Sequence, residues 1–370
     1  MVGTPAEADS PPTAPLDHPS GGSRLLRFLR EHPILCLAIL TPGIPEYLST
    51  STPVLSLVTN PVGFALQLAV NVGQYTAGAL LVREALIRWR KGWGTALLLG
   101  LAYAITEEGL GDNTLFNSGH GVDGVLGSFG RYAGVNWVWS TGVLAFHVIY
   151  SLGLPILLLG LALPATRGRS LLGPRGIALA VTSLAITTFV EMELVLRFYG
   201  FWLGWPLFLA SVVVIAVLVV AARRLPSEVV SPRTPLPTLT ATGAGVIGFA
   251  FFPSAFLLEY GFTSTQTPPE LIIAVELLVF GGLAASVLRG LGKEGNEYVL
   301  VNLAFGFVLW QSVFGVLLTL GLPYTLPLVA VAVWFFVRLR RTYRPRRPAT
   351  APTEGDSARA EGPSPPGPRN

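Results

Sequence analysis

The sequence predicts an all-α fold, a polytopic transmembrane helix bundle of about ten spans with both termini cytoplasmic. Three observations predict it. Of 370 residues, 51% are hydrophobic and only 12% are charged, against roughly 25% charged in soluble domains. A chain so poor in charge cannot clothe itself in polar side chains unless lipid covers much of its surface. Ten segments meet or approach the roughly 20 apolar residues a crossing helix needs. The basic residues fall between those segments in alternation, as the positive-inside rule requires.

In order, the segments are Pro33 to about Leu57, Val62 to Leu86, Gly94 to Leu110, Trp137 to Leu163 and Gly176 to Leu196. Leu203 to Ala222, Ala241 to Tyr260, Pro269 to Leu288, Tyr298 to Leu320 and Leu322 to Val337 follow. With the N-terminus inside, the cytoplasmic connections and tails hold 23 of the 25 Lys and Arg; only Arg131 and Arg197 fall on the other side. A missed or extra span would scramble this alternation. Residues 1–23 and 344–370 have no apolar stretch and read as disordered cytoplasmic tails around one membrane domain, 24–343. The first of them carries no secretory signal.

These features place the chain in the cell membrane, with the lipid bilayer as its expected partner. The cluster Arg338 to Arg347 directly follows the last span and suits anionic headgroups. The net charge of +4 does not point to nucleic acid, because the basic residues lie between apolar runs rather than on one soluble face. No phosphate loop follows a strand. The single cysteine, Cys36, excludes an intrachain disulfide and a thiolate metal site, and reads as a small core residue.

Two spans are irregular. In the first, Pro42-Gly43-Ile44-Pro45 precedes Glu46. Proline removes a backbone donor and clashes with the preceding turn, so the span is expected to break midway. The third is short: Gly94 to Thr106 is 13 residues. To cross, the helix must continue through Glu107 and Glu108 towards Asp112. The glycine-rich connection from Gly111 to Asn136 reads as a flexible surface loop, with a lid or re-entrant segment as the alternative.

Ionisable groups inside hydrocarbon are expensive and face the bundle interior or water. Glu107 and Glu108 are the leading candidates, with Tyr103 one turn before Glu107 and Asp112 one turn after Glu108. Adjacent residues of an α-helix point about 100° apart, so the two glutamates are not expected to face one partner. Carboxylates this close suit a general base, a proton carrier or a cation ligand; the alternative is that they sit in wet headgroups. In the second span Gln67, Asn71 and Gln74 form one helical stripe, either gluing helices together or walling a polar cavity. His147 lies in the fourth span with Ser140 and Ser151 on its face. Counted inward at 1.5 Å per residue, His147, Glu107 and Asn71 lie about 10–15 Å below the same surface, so they can share a pocket in the extracytoplasmic half. Glu46 is a further candidate. Glu193 and Arg197 suit an i, i+4 ion pair beside Glu191. Glu259 is expected at the interface, Glu276 without an obvious partner, and Arg83 snorkelling. His120 and Asp123 can join carboxylates around a cation, but their spacing matches no metal motif, and no dedicated metal site is expected. The sequence names no cofactor.

The stretch Arg83 to Leu115, with Gly92-Trp93-Gly94 and Ala104 to Leu110, resembles a group of bacterial and archaeal multi-pass proteins without assigned function; Pro42 to Pro53 and His147 to Pro155 fit the same likeness. Glu107-Glu108 with His147 is also similar to the CAAX-protease and bacteriocin-processing family of intramembrane glutamic proteases. That resemblance implies Glu107 or Glu108 activating water and His147 stabilising an oxyanion. The sequence departs from the pattern where Asp112 stands near the position of an expected Arg, and no second intramembrane His is present, leaving Asn71 or Gln74 to substitute. Two other readings stand beside it: a secondary transporter of a small solute or ion, using the broken first span, the amide stripe and the buried acids, and a scaffold in which polar groups only pack.

Overall fold

The computed structural model describes residues 24–119, 124–226, 239–263, 265, 267–291, 297–319 and 325–345. His120 and Asp123, residues 1–23 and residues 346–370 lie outside that set. Helix dominates. α1 (Arg24–Glu31) leads into α2 (Pro33–Pro42), whose first-turn proline gives up an N–H that has no partner there anyway. Pro45 cannot join the hydrogen-bond ladder, and here the helix widens into a π-helical segment, Gly43–Leu48. Helix then stops, and Thr50 adopts left-handed backbone at φ 66°. The helix passes through Pro42 and Pro45 by widening, and the break expected midway in the first span falls after Leu48.

After the short α3 (Ser56–Thr59), α4 (Pro61–Trp89) begins on Asn60, whose side chain accepts from Gly63 N. α5 (Trp93–Ala104) runs on through a second π-helical segment, Ile105–Gly111, so the helix does carry both glutamates inward from its end. A two-residue hairpin, β1 (Arg131–Tyr132) with β2 (Val135–Asn136), precedes α6 (Trp137–Phe146). A third π-helical segment, His147–Gly153, joins α6 to α7 (Leu154–Ala162). Pro155 explains its position. In unbroken α geometry the proline ring would clash with the carbonyl four residues earlier, and a widened turn relieves that. α8 (Pro174–Tyr199), α9 (Gly204–Arg224), α10 (Ala241–Thr263), α11 (Pro269–Leu291), α12 (Glu297–Leu318) and α13 (Thr325–Tyr343) complete the chain.

Seven of these helical stretches are long and apolar enough to cross a membrane. The other three expected spans are helical but fall short by different routes. Pro33–Leu48 is short, Trp93 to Gly111 carries the two glutamates, and α13 ends in Arg338, Arg340 and Arg341. α9 shows the inverted logic of a lipid-facing helix. Its most apolar window is only 11% buried, and Val213 and Val217 point outward.

The chain divides into two compact units. The first comprises residues up to Pro45, Ser56–Asn117 and His147–Ser227. Its core gathers Leu37, Tyr75, Leu80, Leu99, Leu152 and Leu159 from α2, α4, α5 and the fourth span. Close approach is built on glycine: a Cβ at Gly78 would overlap the Tyr103 ring, and one at Gly73 would press on Thr187. At one end of this unit the basic connections meet. Arg83 is 5% exposed and does not snorkel; it donates to Thr166 O at 2.5 Å and Arg169 O at 2.8 Å. A neighbour's carboxylate makes this burial affordable. Glu84 accepts from Arg83 Nη1 (3.3 Å), Arg88 Nε (3.2 Å), Leu171 N (2.6 Å) and Ser170 Oγ. Lys91 donates to Leu225 O, Thr95 to Ala222 O, and Arg223 covers the Trp89 ring.

The second unit comprises Glu46–Leu55, Ser118–Phe146 and the chain from Glu228 onward. Its centre is the crossing of α10 and α12. A Cβ at Gly248 would overlap Leu303 O, and one at Gly306 would overlap Gly245 O, the small-residue contact by which helices associate without help from water. Phe249, Phe252 and Phe256 then pack on Trp310 and Phe314. The connection before α6 is more ordered than a surface loop. Asn136 caps α6 by accepting from Trp139 N at 3.1 Å, and its amide donates to Leu126 O.

Candidate intramembrane acid–base site

Glu107 and Glu108 both face His147, contrary to the expectation from α-helical angles. Two features reconcile them. The glutamates lie on a π-helical turn, where Asp112 N bonds Glu107 O five residues back at 2.8 Å, and a widened turn closes the angle between neighbours. The imidazole also offers two nitrogens on different edges. Nδ1 lies 2.7 Å from Glu107 Oε2, and Nε2 lies 2.6 Å from Glu108 Oε1. The ring begins the third π-helical segment. All three side chains are buried, at 2%, 6% and 4% exposure for Glu107, Glu108 and His147.

The two contacts differ. Nδ1 also lies 3.0 Å from Ser151 Oγ, and no donor is aligned on Glu107 Oε2. That approach is one of charge rather than an in-line hydrogen bond. Tyr75 hydrogen-bonds the Glu107 carboxylate from α4, with its ring 6.2 Å from both Tyr103 and His147. Glu108 is held from the other side, where Thr114 Oγ1 donates to Oε2.

A neutral imidazole has one donor and one acceptor nitrogen. With Nε2–H donating to Glu108, Nδ1 can accept from the Ser151 hydroxyl, and a further proton on Nδ1 or on Glu107 would turn the Glu107 approach into a hydrogen bond. The same three ligating atoms lie within 4.8 Å of one another, a nitrogen–oxygen–oxygen set that suits a cation such as Zn²⁺ with an open fourth position.

The expected surface loop after Gly111 starts as a buried cover instead. Asn113, Thr114, Leu115, Phe116 and Asn117 are buried. Asn113, at φ 58°, turns its amide back on Leu110 O and Gly111 O. Asp112 stands at the end of the π-helical turn, half-buried. Glu191 from α8 is buried and rests its carboxylate on Gly111, where a Cβ would overlap it, while Glu193 forms the exposed pair with Arg197 at 3.6 Å.

Gln67 donates to Asn71 Oδ1 at 2.7 Å, a contact within α4 rather than between helices. Gln74 is fully buried, with neither amide atom aligned on a partner among the described residues. Glu46 belongs to the second unit, where its carboxylate accepts from Thr52 Oγ1 at 2.8 Å. Tyr75 and Thr114 are the contributors that residue patterns do not reveal. Tyr75 is one residue off the amide stripe, and Thr114 lies in a turn whose return onto Glu108 no periodicity announces. No family model, curated protein or solved structure matches the chain.

Proposed function

We propose that this multi-pass membrane protein is a glutamate-dependent intramembrane hydrolase with its acid–base centre at Glu107, Glu108 and His147. The observation that carries the reading is the pair of buried carboxylates on the two nitrogens of one imidazole. Glu107 is the base: its off-axis contact with the ring is the one that a water can displace, and Tyr75 holds its carboxylate. Glu108, fixed by Thr114, orients the ring, and the ring's proton is available to a developing oxyanion or a leaving group. The resemblance to intramembrane glutamic proteases supports the same roles, with Gln74 as the amide in place of a second His. Purified protein in nanodiscs, given a fluorogenic membrane-anchored peptide, is expected to cleave it. Glu107→Gln and Glu108→Gln should each reduce the rate at least about 100-fold, the scale of general-base catalysis. Undiminished cleavage in the double variant refutes the assignment.

A proton- or cation-coupled transporter is the second reading, favoured by three buried ionisable side chains whose ligating atoms lie within 4.8 Å of one another. It predicts solute-driven proton uptake into proteoliposomes, abolished in His147→Leu.

We infer further that ten segments cross the cell membrane with both termini cytoplasmic and that the site opens towards the extracytoplasmic half. The distribution of Lys and Arg supports this. So does the first unit, where the connections after α4, α7 and α9, all placed on the cytoplasmic side, contact one another. A reporter fused after Arg347 should read as cytoplasmic, and an extracytoplasmic signal overturns the orientation.

A further inference from the structure

We infer that Glu259 and Glu276 form a second, proton-binding site, contained in the second unit and separate from the hydrolytic centre. Glu259 lies near the end of α10 and Glu276 seven residues into α11; they are 5% and 0% exposed. Their carboxyl groups are within hydrogen-bonding reach of each other. Yet Glu259 Oε1 and both oxygens of Glu276 have no donor. A proton on one of the two carboxyls reconciles these facts. Two ionised carboxylates are both acceptors, so their contact becomes a hydrogen bond when one of them carries a proton. Two like charges in contact inside a low-dielectric bundle do not both ionise.

Among the described residues the surroundings supply no counter-charge at that level. α6 packs on both α10 and α11 and contains no ionisable side chain. It contributes Gly142, whose missing Cβ leaves room for Glu259 Oε1 and whose backbone N–H reaches the Glu259 carboxylate. On α10 the neighbour is Tyr260. On α11, Glu270 lies in the exposed first turn, and Arg289 is 13 residues beyond Glu276, roughly 20 Å along a helix. Glu297 and Tyr298 open α12, which runs parallel to α10, so they lie at the opposite end from Glu259. Arg131 is engaged by Gly127 O and Gly134 O. The ligand this arrangement takes is a proton, shared between the two carboxyls.

The test is infrared spectroscopy of the full-length protein in nanodiscs, following the carbonyl stretch of protonated carboxylic acid with pH. The wild type is expected to retain such a band at neutral pH. Part of it should be lost in Glu276→Gln and in Glu259→Gln, and none in Glu270→Gln. Because glutamine mimics the protonated acid in shape, thermal stability of Glu276→Gln should stay within a few degrees of wild type. Should either variant fold poorly, Gly142→Ala, which displaces Glu259, is expected to shift the band's titration. A wild-type spectrum whose neutral-pH band is unchanged by Glu276→Gln, or a band abolished by added sodium together with higher thermal stability, overturns the proposal. The first outcome removes the shared proton and the second makes the pair a cation site.

Discussion

Replacing His147 with leucine tests whether the acid–base trio is held together by charge. The imidazole contacts both Glu107 and Glu108, and all three are nearly inaccessible to solvent. Breaking a buried pair by removing one partner costs about 3–5 kcal/mol, mostly the penalty of the charge left behind. Here two charges are left, but each keeps one donor, Tyr75 for Glu107 and Thr114 for Glu108. The lower end, about 3 kcal/mol, is therefore expected. Adding Glu107→Gln to His147→Leu should recover much of it, with a coupling of about 1–3 kcal/mol in the double-mutant cycle. Reversible unfolding by SDS titration in mixed micelles measures each corner. His147→Leu within about 0.5 kcal/mol of wild type, or a cycle additive to that margin, would show that the ring carries no electrostatic load and refute the reasoning. In the restored double variant, hydrolysis should remain absent.

The same accounting predicts about 3–5 kcal/mol lost in Glu84→Ala, because Arg83 stays buried without its carboxylate; thermal unfolding in detergent reads it, and Arg83→Met in that background should recover stability. Gly78→Ala drives a methyl into the Tyr103 ring and should cost about 1–3 kcal/mol, with near-ultraviolet circular dichroism reporting the ring's movement beside Tyr75. Gly306→Leu separates α10 from α12 and should lower the melting temperature of the second unit, monitored through the fluorescence of Trp310. Thr114→Val removes a donor from a buried carboxylate, worth about 1.5–3 kcal/mol, and should lower kcat of peptide cleavage with little change in KM.

Much of the helical plan is legible in the sequence because lipid imposes a coarse rule: apolar runs cross and basic residues stop them. Seven stretches obey that rule outright. The remaining three fall short through length, the two glutamates or a terminal run of arginines, so hydropathy alone undervalues them. At the site, Glu107, Glu108 and His147 could be picked out because ionisable residues are costly at that depth. Their mutual geometry could not, since it depends on π-helical turns that alter the angle between neighbours. Arg83 was misjudged for a related reason. Snorkelling is the default for a lone helix, and here Glu84 and the 164–172 connection provide partners that linear spacing does not show.

Each π-helical segment is, in effect, one residue inserted into a helix. A helical wheel drawn through it loses phase by about 100°, the angle of one residue. The fourth span shows what this allows: the side chains of α7, after His147–Gly153, are phased independently of those of α6. Periodicity in the fourth span therefore has to be read afresh after Gly153. Deleting one residue from 148–153 would restore a single phase to the span while turning every side chain of α7 by the angle of one residue.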